Sequence, residues 1–508
     1  MRTREGVGVG ESLLVRGGRV VALDEDGTGG VLDVRVRDGA IVEVGPGLAP
    51  DGEPVLDAAG GWVIPGLWDA HVHFTQYVRA STWVDVAGTA GPEEVCARLA
   101  TAVAERPGDR AVVGFGYRSG PWSRVGTVAE LDAVAAGRPL VVIAGDAHNG
   151  WLNSAALAAF GLPPRTGPLV ENEWFAVFGR LDDLPGVSPT PEQEDAVVAE
   201  LAARGLVGLV DLEFDAPFRA WPARVERGQR SLRVRAGVYP HQLDEVLAAG
   251  WRTGKALPGG DDLVAMGPLK IIADGSMGTR TAWCCRPYCD AAPGDPHPAG
   301  VANLSEEELR GLFARAEGAG LAVAAHAIGD RANQAVLDAF AVTGASGSVE
   351  HAQLLRHVDV PRFAGHGVTA SMQPHHLVAD RDPAGVLWAD RTDRLYLARS
   401  ILDGGGKLAL GSDAPVSPPD PWLAIATAVH RSGDGRPGWH PEQSLTPREA
   451  LAASVDGQRV VPGARGDLVV LGADPVAEDA DPATTAARLR AMGVRATVCA
   501  GRVTHRES

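Results

Sequence analysis

The chain has 508 residues, more than one compact core holds, so two or three structural units are expected. Hydrophobic residues make up 45% and aromatics 5%, which predicts a large and mainly aliphatic core. The formal net charge is −17 with no block of Lys or Arg, which argues against nucleic acid or an anionic membrane as the main partner. Residues 1–18 carry no apolar run suited to a secretory leader, and no window approaches the roughly 18 apolar residues of a membrane helix. Five cysteines in so long a chain do not build a disulfide framework. Cys284, Cys285 and Cys289 lack the spacing of a zinc site and read as packing thiols. A cytoplasmic enzyme is the expectation.

From Leu13 to Pro65 the pattern is β. Leu13–Arg16, Val20–Leu23, Val31–Val36 and Ile41–Val44 are short strands split by Gly and Asp turns. Residues 467–471 and 494–503 resume the same style, so one small β-sandwich built from both termini is predicted: 1–65 and 459–508. Between them strands and helices alternate, which predicts parallel βα units. Eight strand candidates follow in order: Trp68–Phe74, Leu206–Glu213, Arg233–Pro240, Pro268–Ser276, Leu321–Gly329, Gly347–Gln353, Gly367–Pro374 and Lys407–Pro415. Eight such units make a (β/α)8 TIM barrel over 66–74 and 205–458. The excess, 75–204, has strands and helices of its own and reads as an α/β cap inserted after the first barrel strand.

Chemistry concentrates where these strands should end, the face on which such barrels carry their sites. In Asp69-Ala70-His71-Val72-His73 the period of a strand puts both histidines on one side, a spacing that can grip one divalent metal. His326 closes an apolar run, which costs burial energy unless its nitrogens find partners. His351 follows Val349-Glu350, and Asp413 stands at the tip of the eighth strand. Singly, each reads as a capped strand end or a turn aspartate; jointly, four histidines and an aspartate around one axis point to a metal. Lys270 adds a buried amine, placed by alternation on one face with Ile272 and Asp274. It is either paired with Asp274 or Asp413, or neutral and carboxylated by CO2 to a carbamate able to bridge two metals.

The motifs Pro65–His73, Lys270–Ala282 with Pro287-Tyr288, His326–Ala332, Val349-Glu350-His351, Ser371–Pro374 and Gly411–Pro415 run in order along nearly the whole chain. In these the sequence resembles the amidohydrolase superfamily, in its family 3 branch with a long insert, similar to N-substituted formamide deformylase. The resemblance implies a metal-dependent hydrolase of C–N bonds other than peptide bonds, acting on a small amide-like substrate. It implies that His71, His73 and Asp413 hold one metal, that His326 and His351 hold a second, and that an N6-carboxylated Lys270 bridges them. One or two divalent ions, zinc by preference, are expected. Asp413 is the expected general base, taking a proton from water and passing it to the leaving nitrogen. Asp146-Ala147-His148 with Leu152-Asn153-Ser154 matches a substrate-side segment, so His148 is expected to face substrate; Arg280 and Gln373 are further substrate-contact candidates. Against the branch's pattern, about a dozen residues of connector are missing after Gly457, which bears on how the terminal strands pack. Two alternatives stay open: a one-metal deaminase or cyclic amidase with Lys270 unmodified, and a non-catalytic interaction protein. A homodimer is compatible with all of them.

Overall fold

The computed structural model describes residues 11–23, 28–117, 119, 122–135, 137–145 and 149–507. Met1–Phe74 with Asp195–Ser508 form one unit, and Thr75–Glu194 form another.

The first unit holds the barrel. Its strands are β1 (Leu67–Val72), β2 (Leu206–Asp211), β3 (Arg233–Val238), β4 (Val264–Ile272), β5 (Val323–Ala327), β6 (Gly347–His351), β7 (Thr369–Met372) and β8 (Lys407–Leu410). They pair in parallel in sequence order. The ring closes between the tip of β1 and the residues after β8. Asp413 N donates to His71 O at 2.7 Å, and His73 N donates to Ala414 O at 2.9 Å. Gly411 makes the closure possible: a Cβ there would sit 2.8 Å from His71 N and 2.9 Å from Asp69 Oδ1. Asp69 takes the freed space, accepting from His71 N at 3.1 Å and Ser412 N at 2.9 Å. Those amides leave the buried carboxyl raised to about 6, because burial outweighs the hydrogen bonds it receives.

Both chain ends enter one sheet. Leu13–Val21, Thr28–Arg37, Ala40–Gly45, Val55–Asp57 and Trp62–Pro65 join Leu468–Leu471, Val494–Cys499 and Arg502–Arg506. Trp62–Pro65 pairs antiparallel with Leu468–Leu471, which places the N- and C-terminal halves side by side. Val15, Val36, Ile41, Val63, Leu468 and Val498 build its core. The turn expected between Leu13–Arg16 and Val20–Leu23 is absent: Leu13–Val21 is one strand whose register shifts twice, a bulged strand rather than two.

The short connector after Gly457 is bridged by charge. Asp456 accepts from both terminal nitrogens of Arg235 on β3, at 2.8 and 2.6 Å, and from Arg465 at 2.7 Å. Both guanidiniums lie over the Trp68 ring, at 4.8 and 4.7 Å from its centre. Gly463 N and Ile41 N then bond across to Ile41 O and Ala464 O. Asp456→Ala should lower stability by about 1–2 kcal/mol, between an exposed pair and a fully buried one. Chemical denaturation measures it; no loss would mean that the stacking on Trp68 suffices.

The second unit is a five-stranded sheet in the order Leu169–Val170, Asn149–Leu152, Leu140–Ala144, Val112–Tyr117, Val84–Asp85. Val113, Ile143, Leu152 and Trp174 are buried on one side of it. Asn153 begins the helix Ser154–Ala159 and is fully spent within the unit. Its amide oxygen accepts from Leu140 N and Ala156 N, and its nitrogen donates to Ala135 O and Arg138 O. The thiols need one correction. Of Cys284, Cys285 and Cys289, the first is buried and the other two are exposed, because the loop that carries them runs over the surface.

Candidate metal centre

Strand ends β1, β4, β5, β6 and the turns after β7 and β8 meet at one face of the barrel. Ile272 is in register with His326, and Ala327 with His351, so the chain positions set the two histidines beside each other on adjacent strands. Their rings meet edge to face, centres 4.5 Å apart. The His71 ring lies 5.1 Å from that of His351 and 5.5 Å from that of His73. His71, His351 and Asp413 each turn one ligand atom to within 4.8 Å of the others. Asp413 Oδ1 stands 3.4 Å from His71 Nε2 and 3.3 Å from His73 Nε2. Two of these groups occupy left-handed backbone: φ is 71° at His351 and 58° at Asp413. Side chains rarely tolerate that region, and the cost is met by the closed ring around them.

Lys270 Nζ lies 3.2 Å from His71 Nε2 and is buried. Among the described residues no ion pair joins it to a carboxylate. Asp274 is not its partner, because β4 ends at Ile272 and the chain turns. Asp274 instead accepts from Trp283 N, Ile328 N and Gly329 N, at 2.8, 3.0 and 2.8 Å. Its carboxyl is raised to about 7 by burial, against those three amides. His326 Nε2 points the same way, 3.5 Å from Asp274 Oδ1 and 3.4 Å from Gly275 O.

Glu350 takes a part that its motif alone does not reveal. Its Oε2 is 2.8 Å from His71 Nδ1, and Ser348 donates to its other oxygen. A carboxylate on Nδ1 fixes the imidazole and leaves Nε2 for whatever lies between the ligand groups. The partner is 279 residues away in sequence, which no local pattern reveals.

The electrostatics favour neutral donors. Burial pushes the imidazoles of His71, His326 and His351 down, with Lys270 adding to the effect; His326 falls to about 3. Burial also pushes the Lys270 ammonium down, and the charges of Glu350 and Asp413 only partly oppose it. Burial would push the Asp413 carboxyl up, but His71, His73, His351 and His376 together hold it well below the usual range. Buried His73 Nδ1 and His351 Nδ1 have no hydrogen-bond partner. Imidazoles, one carboxylate and an amine within a few ångströms, their cationic forms disfavoured by burial at His71, His326, His351 and Lys270, form a donor set suited to a divalent cation.

The substrate-contact candidates fall in three places. Gln373 Nε2 lies 3.5 Å from His71 Nδ1 and is buried. Arg280 is on the surface, paired with Asp290. His148 lies outside the described residues. His376, two residues past Pro374, joins the site without a signal in the sequence; its Nε2 is 3.8 Å from Asp413 Oδ2.

Three comparisons bear on the identity. The chain is 28% identical to the protein LONG AFTER FAR-RED 3 of Arabidopsis thaliana, over 86% of this chain and 83% of that one. It is 26% identical to an N-substituted formamide deformylase of Arthrobacter pascens, over 92% and 90%. In fold it resembles an uncharacterized metal-dependent hydrolase from Pyrococcus horikoshii, with a TM-score of 0.78 at 24% identity, covering 92% of this chain and 99% of the other. Residues 54–505 match the amidohydrolase family, and the chain belongs to it.

Proposed function

We propose that the protein is a metal-dependent hydrolase that cleaves a non-peptide, amide-like C–N bond in a small molecule. The observation that carries this reading is the meeting of His71, His351 and Asp413 within 4.8 Å at the mouth of a barrel whose family hydrolyses with metals. The likeness to a deformylase of N-substituted formamides supports an amide as the bond broken. His71, His73 and Asp413 would hold one divalent cation, zinc by its preference for imidazole, and His326 and His351 a second, with carboxylated Lys270 between. That charge, when bound, makes a water more acidic and a carbonyl more electrophilic.

The residues supply the rest. Glu350 holds the His71 ring in one orientation. Asp413 remains a carboxylate at neutral pH, so it can accept a proton from water and later return it to the departing nitrogen. Burial disfavours the Lys270 ammonium, and among the described residues no ion pair joins it to a carboxylate, which supports the carbamate. A second reading has one specific observation behind it. The tight triplet of His71, His351 and Asp413 suits a single cation, as in a deaminase or cyclic amidase with Lys270 left bare.

The test is a panel of N-acyl amines, cyclic ureas and lactams, with metal analysis of the same sample. Turnover with two ions per chain supports the bridged form, and one ion supports the second reading. No turnover on any member, in metal-replete protein, overturns the proposal. Glu350→Gln should lower affinity for zinc about 10–100-fold while leaving the ligand groups in place. A zinc titration against a competing chelator measures this, and unchanged affinity would show that His71 does not depend on that carboxylate.

A further inference from the structure

We propose that His376 is a substrate-contacting residue, whose Nε2 accepts a hydrogen bond from the N–H of the scissile amide, and that it selects amides bearing an N–H. This rests on the reading of Asp413 as proton shuttle.

The argument begins with the two oxygens of Asp413. Oδ1 is turned to His71 and His73, at 3.4 and 3.3 Å. Oδ2 is the oxygen nearest His376, whose Nε2 stands 3.8 Å from it. That separation is too long for a direct hydrogen bond, and one heavy atom lying to the side of the line between them can reach both. His376 Nε2 is buried and has no hydrogen-bond partner, an arrangement that costs free energy unless something fills it.

The side chain is held firmly. His376 N donates to Gln373 O at 3.1 Å, pinning the turn after β7. The ring stacks on that of His351, centres 6.0 Å apart and planes 20° from parallel. One turn along the same helix, Asp380 is locked by Gln353 at 2.8 Å and by the Tyr396 hydroxyl.

The reaction says which atom takes that position. Water adds to the carbonyl carbon while its proton passes to Asp413. The C–N bond then breaks, its electron pair stays on nitrogen, and the proton on Asp413 is transferred to that nitrogen. The nitrogen must therefore lie against the Asp413 oxygen that is not engaged by His71 and His73. It lies against His376 as well. With the ring proton on Nδ1, Nε2 accepts the N–H of a secondary amide; an N,N-disubstituted amide brings a carbon to the same place.

The experiment compares each turned-over secondary amide with its N-methylated partner, starting from N-butylformamide and N-butyl-N-methylformamide. His376→Ala should cost about 10–100-fold in kcat/KM on the N–H member and under about twofold on its partner, with metal content and Tm unchanged. His376→Gln, which keeps an acceptor, should restore part of the loss. His375→Ala is the control and should change neither. In an Asp413→Asn background, equilibrium binding measured by NMR should show the same selective weakening on adding His376→Ala. Equal losses on both members, or none, overturn the proposal while leaving the hydrolase reading intact. If no pair is turned over, the binding comparison alone decides: selective weakening supports the contact, and equal or absent binding overturns it.

Discussion

Asp413→Asn is expected to lower turnover by about 10²–10⁴-fold while the protein keeps its metal and its fold. The substitution is nearly isosteric, and asparagine tolerates the left-handed backbone found at this position, φ 58°, as well as aspartate does. Its amide oxygen can still face His71 and His73, so the ligand set loses charge but not shape. What it cannot do is take up a proton. The sign of the effect follows from the wild-type carboxyl, which the surrounding histidines hold well below its ordinary range. It is therefore a base at neutral pH, and the variant has none in its place. Steady-state kinetics with metal analysis checks the expectation. Near wild-type turnover in a metal-loaded variant would remove Asp413 from the proton path.

Removing the metal is expected to bring activity to background and to lower Tm, with zinc restoring both. Burial pushes the imidazoles of His71, His326 and His351 down, His326 to about 3, so protons compete less with a cation there. Two buried ring nitrogens, His73 Nδ1 and His351 Nδ1, lack partners, and each such atom costs about 1–3 kcal/mol. A cation at about a thousandfold its Kd adds roughly 4 kcal/mol to the folded state. Scanning calorimetry before and after chelation, beside an activity assay, reads both effects. Full activity in a sample stripped well below one ion per chain would sink the metal centre.

The barrel was legible because its strands are apolar runs of the right length, each ended by a polar group. All eight appear in order, shorter than expected at the C-terminal side, since residues such as Asp274 and Gln353 lie beyond the last residue of their strands. The terminal sheet was legible in character but not in detail. Val55–Asp57 and Trp62–Pro65 have three and four residues, too few for alternation to show. Of the site, the His-x-His pair and the strand-end histidines stand out because buried imidazoles are costly. Glu350 and His376 do not, because their meaning lies in partners on other strands. Cys285 and Cys289 misled because an apolar residue type says nothing about which side of a loop it faces.

The pairing of Trp62–Pro65 with Leu468–Leu471 reaches beyond architecture. A ribosome must deliver some four hundred more residues before that strand can find its neighbour. Until then a run of Trp, Val and Ile waits with open backbone valences, an invitation to stray partners. Expression from a gene shortened by its last fifty or so codons should yield inclusion bodies rather than a smaller soluble barrel, and slow translation or chaperone supply should govern the yield of the intact chain.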